Sequence, residues 1–396
     1  MVKILIADSL SPKAVEMLKA AGHEVRMDPS ITEASLANEI SDYNVLIVRS
    51  KVVNAAAIEA AKGLSLIIRA GAGVNTIDVN AASAKGVLVC NTPGMNNDAV
   101  AELAFGHIVC CDRCITTNTQ HLRNGEWRKK LFLTCEGLRD RTLGIVGRGN
   151  IAKSMIRIAK GFMMNVVVWS RRFSPEEAKE LGVEYAASLT ELAAKSDVVS
   201  VHVAFNKTET FHLIGKEFFD AMKKKAIFIN TSRGEVVDTQ AMLAAIKEKG
   251  IKVGVDVFEG EPAGSMGEFP HKEVAEAVVS ATCHIGASTE QAADRIANET
   301  VRVCNTFCST GEALNCVNIN AAPKADGVMT VRHTGVFAKI IACCDAHQAQ
   351  IFSVSNTVLK GDKSQICTLR MSAPACFVEE IGKIEGVIGT ACAPLA

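Results

Sequence analysis

The stretch RTLGIVGRGNIAKSMIRIAKGFMMNVVVWS, residues 141–170, constrains the fold of this chain more than any other. LGIV reads as a buried strand that ends in Gly147-Arg148-Gly149-Asn150-Ile151-Ala152. Apolar residues then recur at helical spacing as far as Gly161, and a second β-branched run, NVVVWS, follows. A strand, a glycine turn, a helix and a strand in about 30 residues make a βαβ unit with parallel strands. Gly147 permits the tight turn, and Gly149 lets a pyrophosphate approach the backbone at the helix N-terminus. Ala152 replaces the third glycine, which the dinucleotide fingerprint tolerates. The plainer alternative is a turn that serves only helix–strand packing.

The end of the second strand carries a further signal. Roughly 20 residues past the first glycine, such units place an acid that accepts a hydrogen bond from a ribose 2′-hydroxyl. Here Ser170, Arg171 and Arg172 occupy that place. A hydroxyl and two cations suit the 2′-phosphate of NADP and mildly favour it over NAD. Otherwise they are a solvated pair beside a site that takes NAD loosely.

The βαβ unit sits inside a longer alternation. VKILIAD, HEVRMD, YNVLIVRS, LSLIIRAGAG and VLVCNTPG are strand-like and alternate with helical SPKAVEMLKAAG, AAAIEAAKG and DVNAASAKG. A second series runs from RTLGIVG to AVVSATCHIGAS. Two such series predict an α/β protein with two Rossmann-like, doubly wound parallel-sheet domains and a cleft between them. A long helix from Asn97 to about Cys114, capped by Asn97 or Asp98, bridges the two, and a helix from Thr289 to about Thr310 returns. From Gly327 the order becomes βαββαβ, a ferredoxin-like module behind the linker NINAAPKADG. The expected division is 1–96 with 288–318, 97–287, and 319–396.

Composition narrows the function. Lys plus Arg is 43 and Asp plus Glu is 43, with no long basic run, so nucleic acid has nothing to hold. No stretch reaches 18 uninterrupted apolar residues, and MVKILIAD is too brief for a signal-peptide core, so no membrane association is expected. The 14 cysteines lie in apolar helices and strands without a disulfide rhythm, which reads as buried thiols in a reducing cytoplasm. The pair Cys111 and Cys114 ends a helical run and reads as packing.

Three strand ends concentrate the chemistry. Arg233 follows AIFIN, Asp256 and Glu261 lie in DVFEGEP, and His284 lies in TCHIGAST. All three loops should open on one sheet edge, where ligands bind in open α/β folds. Arg233 could clamp a carboxylate and polarise a carbonyl, His284 could exchange a hydroxyl proton, and Glu261 could orient the imidazole. That set suits hydride transfer on a 2-hydroxy or 2-oxo acid, with no metal.

These segments, with VRS around Arg49, IIRAGAGVNTID, NTPG before AELAFGHI, and GEWRKKLF, resemble the D-isomer-specific 2-hydroxyacid dehydrogenase family over about residues 3–318. The resemblance implies that Arg233, Glu261 and His284 are catalytic. It also implies that Asp256 contacts the nicotinamide and that Gly147, Gly149, Asn150, Ile151, Ser170, Arg171, Arg172, Val203 and Thr231 line the cofactor. Backbone groups of Arg69-Ala70-Gly71-Ala72-Gly73 would meet the substrate carboxylate, and Arg49, Arg69 and Arg128 match basic residues expected near a substrate phosphate. The implied reaction is oxidation of 3-phosphoglycerate to 3-phosphohydroxypyruvate, the first step of serine biosynthesis. The implied assembly is a homodimer built on the cofactor domains, or a homotetramer.

The chain departs from the family pattern in two places. Cys283 replaces the usual proline before the catalytic histidine, and the ribose acid is missing. The C-terminal module resembles an ACT domain, a small-molecule sensor, and its loop His333-Thr334-Gly335-Val336 lacks the usual proline. An amino-acid effector such as serine and a purely oligomerising role both stay open. Two rival readings remain: an NADPH-dependent hydroxypyruvate or glyoxylate reductase, and a non-catalytic dinucleotide-sensing protein on the same scaffold.

Overall fold

The computed structural model describes residues 1–262, 266–319, 325–361, 363–372, 375 and 377–394. Half of the expected linker, residues 320–324, lies outside the described residues. The chain forms two compact units, Met1–Cys316 and Val317–Ala396.

The first unit holds two parallel sheets. β1 (Lys3–Ile6), β2 (Glu24–Met27), β3 (Val45–Val48), β4 (Leu66–Arg69) and β5 (Leu88–Asn91) pair in the order β2-β1-β3-β4-β5. The second sheet contains β6 (Thr142–Val146), β7 (Asn165–Trp169), β8 (Glu184–Tyr185), β9 (Val198–Val201), β10 (Ile227–Asn230), β11 (Lys252–Val255) and β12 (Ser280–Ala281). Its order is β12-β11-β10-β9-β6-β7-β8, so the chain reverses direction of growth between β6 and β9. Helices cover both faces, which is why the central strands, such as VLIV of β3, are apolar at every position rather than alternating.

Two long helices join the sheets. Asn97–Arg113 leads from the first sheet to the second and packs on the glycine-turn helix Asn150–Gly161 and on β10 and β11. Its N-cap position is Asn96, without a side-chain capping bond, and neither Asn97 nor Asp98 caps it. Asp98 is drawn away by stronger, charged donors. Its carboxylate accepts from Ser154 Oγ at 2.7 Å, Arg157 at 2.7 Å and Arg295 at 3.1 Å. The return helix Glu290–Thr310 is capped by Thr289, which accepts from Ala292 N, and packs on β4 and on the helix Pro12–Ala20. No helix among the described residues is long and apolar enough to cross a membrane.

The second unit is β13 (Gly327–His333), the helix Phe337–Ala346, β14 (Ile351–Val358), β15 (Gln365–Met371), the helix Val378–Gly382 and β16 (Val387–Pro394). The antiparallel order β14-β15-β13-β16 is ferredoxin-like. Met329, Val331, Ile340, Cys344, Leu369 and Ile381 give it a core of its own.

Candidate active site

Gly147 adopts φ +123°, and a Cβ there would lie 2.3 Å from the His202 carbonyl oxygen, so only glycine fits where β6 passes β9. Gly149 caps the following helix, and a Cβ there would meet nothing within 4 Å. The turn is therefore tight against the sheet and open on its outer side, as a backbone cradle for a pyrophosphate requires. Ala152 is buried between helix and sheet, and Ile151 packs partly into the same core. Asn150 begins the helix, with its amide nitrogen 3.3 Å from a Cβ position at Gly94. Val203 lies beside Gly147, and Thr231, just past β10, has a buried hydroxyl with no hydrogen-bond partner. An unsatisfied hydroxyl on this edge is the kind of group that a bound dinucleotide would satisfy.

The strand end at residue 170 differs from a free phosphate receptor. Ser170 turns the chain by accepting from Phe173 N. Arg171 and Arg172 are exposed, and Arg171 pairs with Glu209 at 2.9 Å. Glu209 sits in the loop after β9, where the Asn206 side chain accepts from the Thr208 and Glu209 backbone amides at 2.9 and 3.2 Å. That loop presents an acid to the very arginine expected to meet a 2′-phosphate, and nothing in the sequence pattern pointed to Glu209.

β10, β11 and β12 are adjacent and parallel, so the loops carrying Arg233, Glu261 and His284 leave the same edge. Glu261 Oε1 and His284 Nδ1 are 2.5 Å apart. Burial raises the Glu261 carboxyl, but the bond from His284, the Phe258 amide and the nearby Arg233 outweigh it and hold the group below the ordinary carboxylate range. With Nδ1 held by a carboxylate, Nε2 is the ring atom left to face a ligand. His284 has φ +55°, a left-handed backbone that turns the next two amides inward.

Those amides end on Asp256, which is 1% exposed. Oδ1 accepts from Thr282 Oγ1 at 2.6 Å and Ile285 N at 2.8 Å, and Oδ2 accepts from Gly286 N at 2.8 Å. The Asp256 carboxylate thus faces the loop it fastens. Behind it, buried His107 of the helix Asn97–Arg113 bonds Thr282 Oγ1 at 3.1 Å and Ser280 Oγ at 2.8 Å. Nothing in the sequence pattern points to His107 and Thr282, because polar residues in a helix and a strand end carry no spacing signal.

Arg233 reaches toward the other sheet. Its Nη2 lies 3.5 Å from a Cβ position at Gly73, in the loop after β4. Arg69 curls over Gly71, where a Cβ would overlap its guanidinium, and its Nε is buried without a partner. Desolvation, then the charges of Arg233 and Arg49, push Arg69 down to about 10, with Asp8 opposing. Asp8 holds the Arg49 loop by accepting from the Arg49, Ser50 and Lys51 amides at 2.8–2.9 Å. Ala72 O accepts from Asn91 Nδ2 at 2.6 Å. The structure therefore brings Arg69 and Arg233 to the glycines at 71 and 73, with Arg49 near enough for its charge to act on Arg69. Arg128 stands apart, on an exposed segment beyond the bridging helix, and pairs with Glu126 at 2.9 Å.

In the second unit, His333, which the sequence suggests as a loop residue, ends β13 and is fully buried. Its Nδ1 accepts from the Gly335 and Val336 amides at 3.1 Å, and its Nε2 bonds Asn356 Oδ1 at 2.9 Å. Both ring nitrogens serve the fold.

Residues 105–286 match the family model described as D-isomer specific 2-hydroxyacid dehydrogenase, NAD binding domain. The chain is 35% identical over 326 residues to a glyoxylate reductase of Thermococcus litoralis, covering 80% of this chain and 96% of that protein. It is 38% identical over 294 residues to a D-3-phosphoglycerate dehydrogenase of Methanocaldococcus jannaschii, covering 74% of this chain. That match spans only 55% of the archaeal protein, about half its length. Among solved structures, an NAD+-bound 3-phosphoglycerate dehydrogenase of Entamoeba histolytica superposes with TM-score 0.66 at 26% identity, covering 81% of this chain and 99% of that one.

Proposed function

The chain belongs to the D-isomer-specific 2-hydroxyacid dehydrogenase family, and from that premise we propose that it interconverts 3-phosphoglycerate and 3-phosphohydroxypyruvate with a nicotinamide cofactor. The cluster of Arg49, Arg69 and Arg233 carries the choice of a phosphorylated substrate. Two guanidinium groups at the glycines, with the charge of Arg49 acting on one of them, exceed what one carboxylate needs, and the surplus suits a phosphate dianion. Arg233 pairs with the substrate carboxylate and the oxygen at C2, while amides around Gly71 and Gly73 take the remaining acceptors. His284 Nε2 removes the hydroxyl proton in oxidation and returns it in reduction, and ionised Glu261 holds the ring and balances the imidazolium. Asp256 and Thr282 act as positioning residues that fix the His284 loop. A nicotinamide dinucleotide with its pyrophosphate on the turn at Gly147 and Gly149 would supply the hydride acceptor or donor beside these residues. The Arg171–Glu209 pair leaves the ribose end with an acid against two arginines, so NAD and NADP both fit this reading.

A reductase acting on unphosphorylated glyoxylate or hydroxypyruvate is the second reading, favoured by the near-complete coverage of the Thermococcus relative. Comparing kcat/KM for phosphohydroxypyruvate and hydroxypyruvate separates the two. A preference for the phosphorylated acid of at least about 10-fold is expected from one charge-assisted contact. A preference for the unphosphorylated acid would overturn the proposal.

A further inference from the structure

We propose that the C-terminal unit binds a divalent transition-metal ion of the zinc class through Cys343, His347 and Glu380. Cys343 lies in the helix Phe337–Ala346, and His347 follows one turn later at its C-cap, so the two side chains share one face. Glu380 comes from the neighbouring helix Val378–Gly382. The thiol sulfur, an imidazole nitrogen and a carboxylate oxygen all lie within 4.8 Å of one another. His347 Nε2 and a Glu380 oxygen are already in ion-pair contact.

A tetrahedral zinc shell, with bonds of about 2.0–2.3 Å, sets its donors roughly 3.3–3.8 Å apart. Side-chain rotation alone closes the difference, because His347 and Glu380 are exposed and Cys343 is half-buried. The pairs His121–Glu126 and His212–Glu259 show what an ordinary ion pair looks like in this chain, with two donors and no thiol. Among the described residues, Cys343, His347 and Glu380 form the only group of three such donors.

The donor set narrows the ion. Calcium and magnesium take oxygen ligands, whereas thiolate, imidazole and carboxylate together suit zinc and its neighbours. Three protein ligands leave a fourth position for water. The thiol gives up its proton to solvent on binding. The bound ion joins the two helices that share the small core of this unit, so its binding also stabilises the unit.

The test uses the full chain, stripped with a chelator and titrated with cobalt(II) as a coloured substitute for zinc. One equivalent should bind with a thiolate-to-cobalt charge-transfer band, and zinc should displace it. Cys343→Ser should remove the band. His347→Gln and Glu380→Gln, both at exposed positions, should each weaken cobalt affinity by at least about 10-fold. Absence of the band in the unmodified chain overturns the proposal. So does a band that survives Cys343→Ser, since another of the 14 cysteines would then hold the ion. Unchanged affinity in both exposed variants overturns it too.

Discussion

At the scale of single residues, the proposed mechanism assigns some groups to touch substrate and others to aim them. His284→Ala should lower kcat by about 100-fold or more, as loss of a general acid–base does, with little change in thermal stability. Thr282 is a sharper probe, because its hydroxyl is engaged inside the protein, donating to Asp256 and bonded to His107. Thr282→Val should lower kcat by about 10-fold while leaving KM nearly unchanged, and Thr282→Ser should restore it, a pattern that steady-state kinetics reads directly. Glu209 makes the complementary case for cofactor choice. Glu209→Gln frees Arg171 and removes a negative charge from the ribose end, so kcat/KM should move toward NADPH relative to NADH by about 10-fold or more. An unmoved ratio would remove Glu209 from cofactor selection.

At the scale of elements, two histidines are held neutral inside the cofactor sheet and its bridging helix. Desolvation lowers His107 against the field of Asp256, and burial pushes His202 down to about 3. Both folded values lie below the ordinary 6.5, so the unfolded chain binds the extra protons first. Their contribution to stability is full above about pH 6.5 and is lost as the pH falls from there toward 3. Thermal melts should show Tm falling across that window, with a shallower slope in His202→Asn. The elements themselves were legible from sequence wherever periodicity spoke: both parallel sheets, the glycine turn, the bridging and return helices, and the βαββαβ order. Caps and pairings were not. Asp98 looked like a helix cap, but a carboxylate within reach of two arginines bonds them instead. The strand expected in AVVSATCHIGAS shrinks to Ser280–Ala281, because Asp256 captures the amides that follow. The pairing of Arg171 with Glu209 was not legible because the two lie 38 positions apart in the chain.

At the scale of the whole molecule, the exposed segment beyond the bridging helix stands out. Trp127 is 82% exposed, and Leu131 and Leu133 beside it are 58% and 66% exposed. Large apolar groups exposed along one short segment suit an interaction surface, and we propose that the expected homodimer would use it. Trp127→Ser combined with Leu131→Glu should convert dimer to monomer in sedimentation velocity while leaving the fold intact by circular dichroism. A monomeric unmodified chain would contradict the assembly. Arg128 lies in the same segment, so the variant also reports whether substrate KM depends on association.

Gly234 gives the site one more property. A Cβ there would lie 1.9 Å from the Phe258 carbonyl carbon, so the loop bearing Arg233 is pressed onto the backbone that leads to Glu261. Two loops in such contact leave no room between them for a side chain. The spacing of Arg233 from Glu261, and through it from His284, therefore depends on position 234 having no side chain.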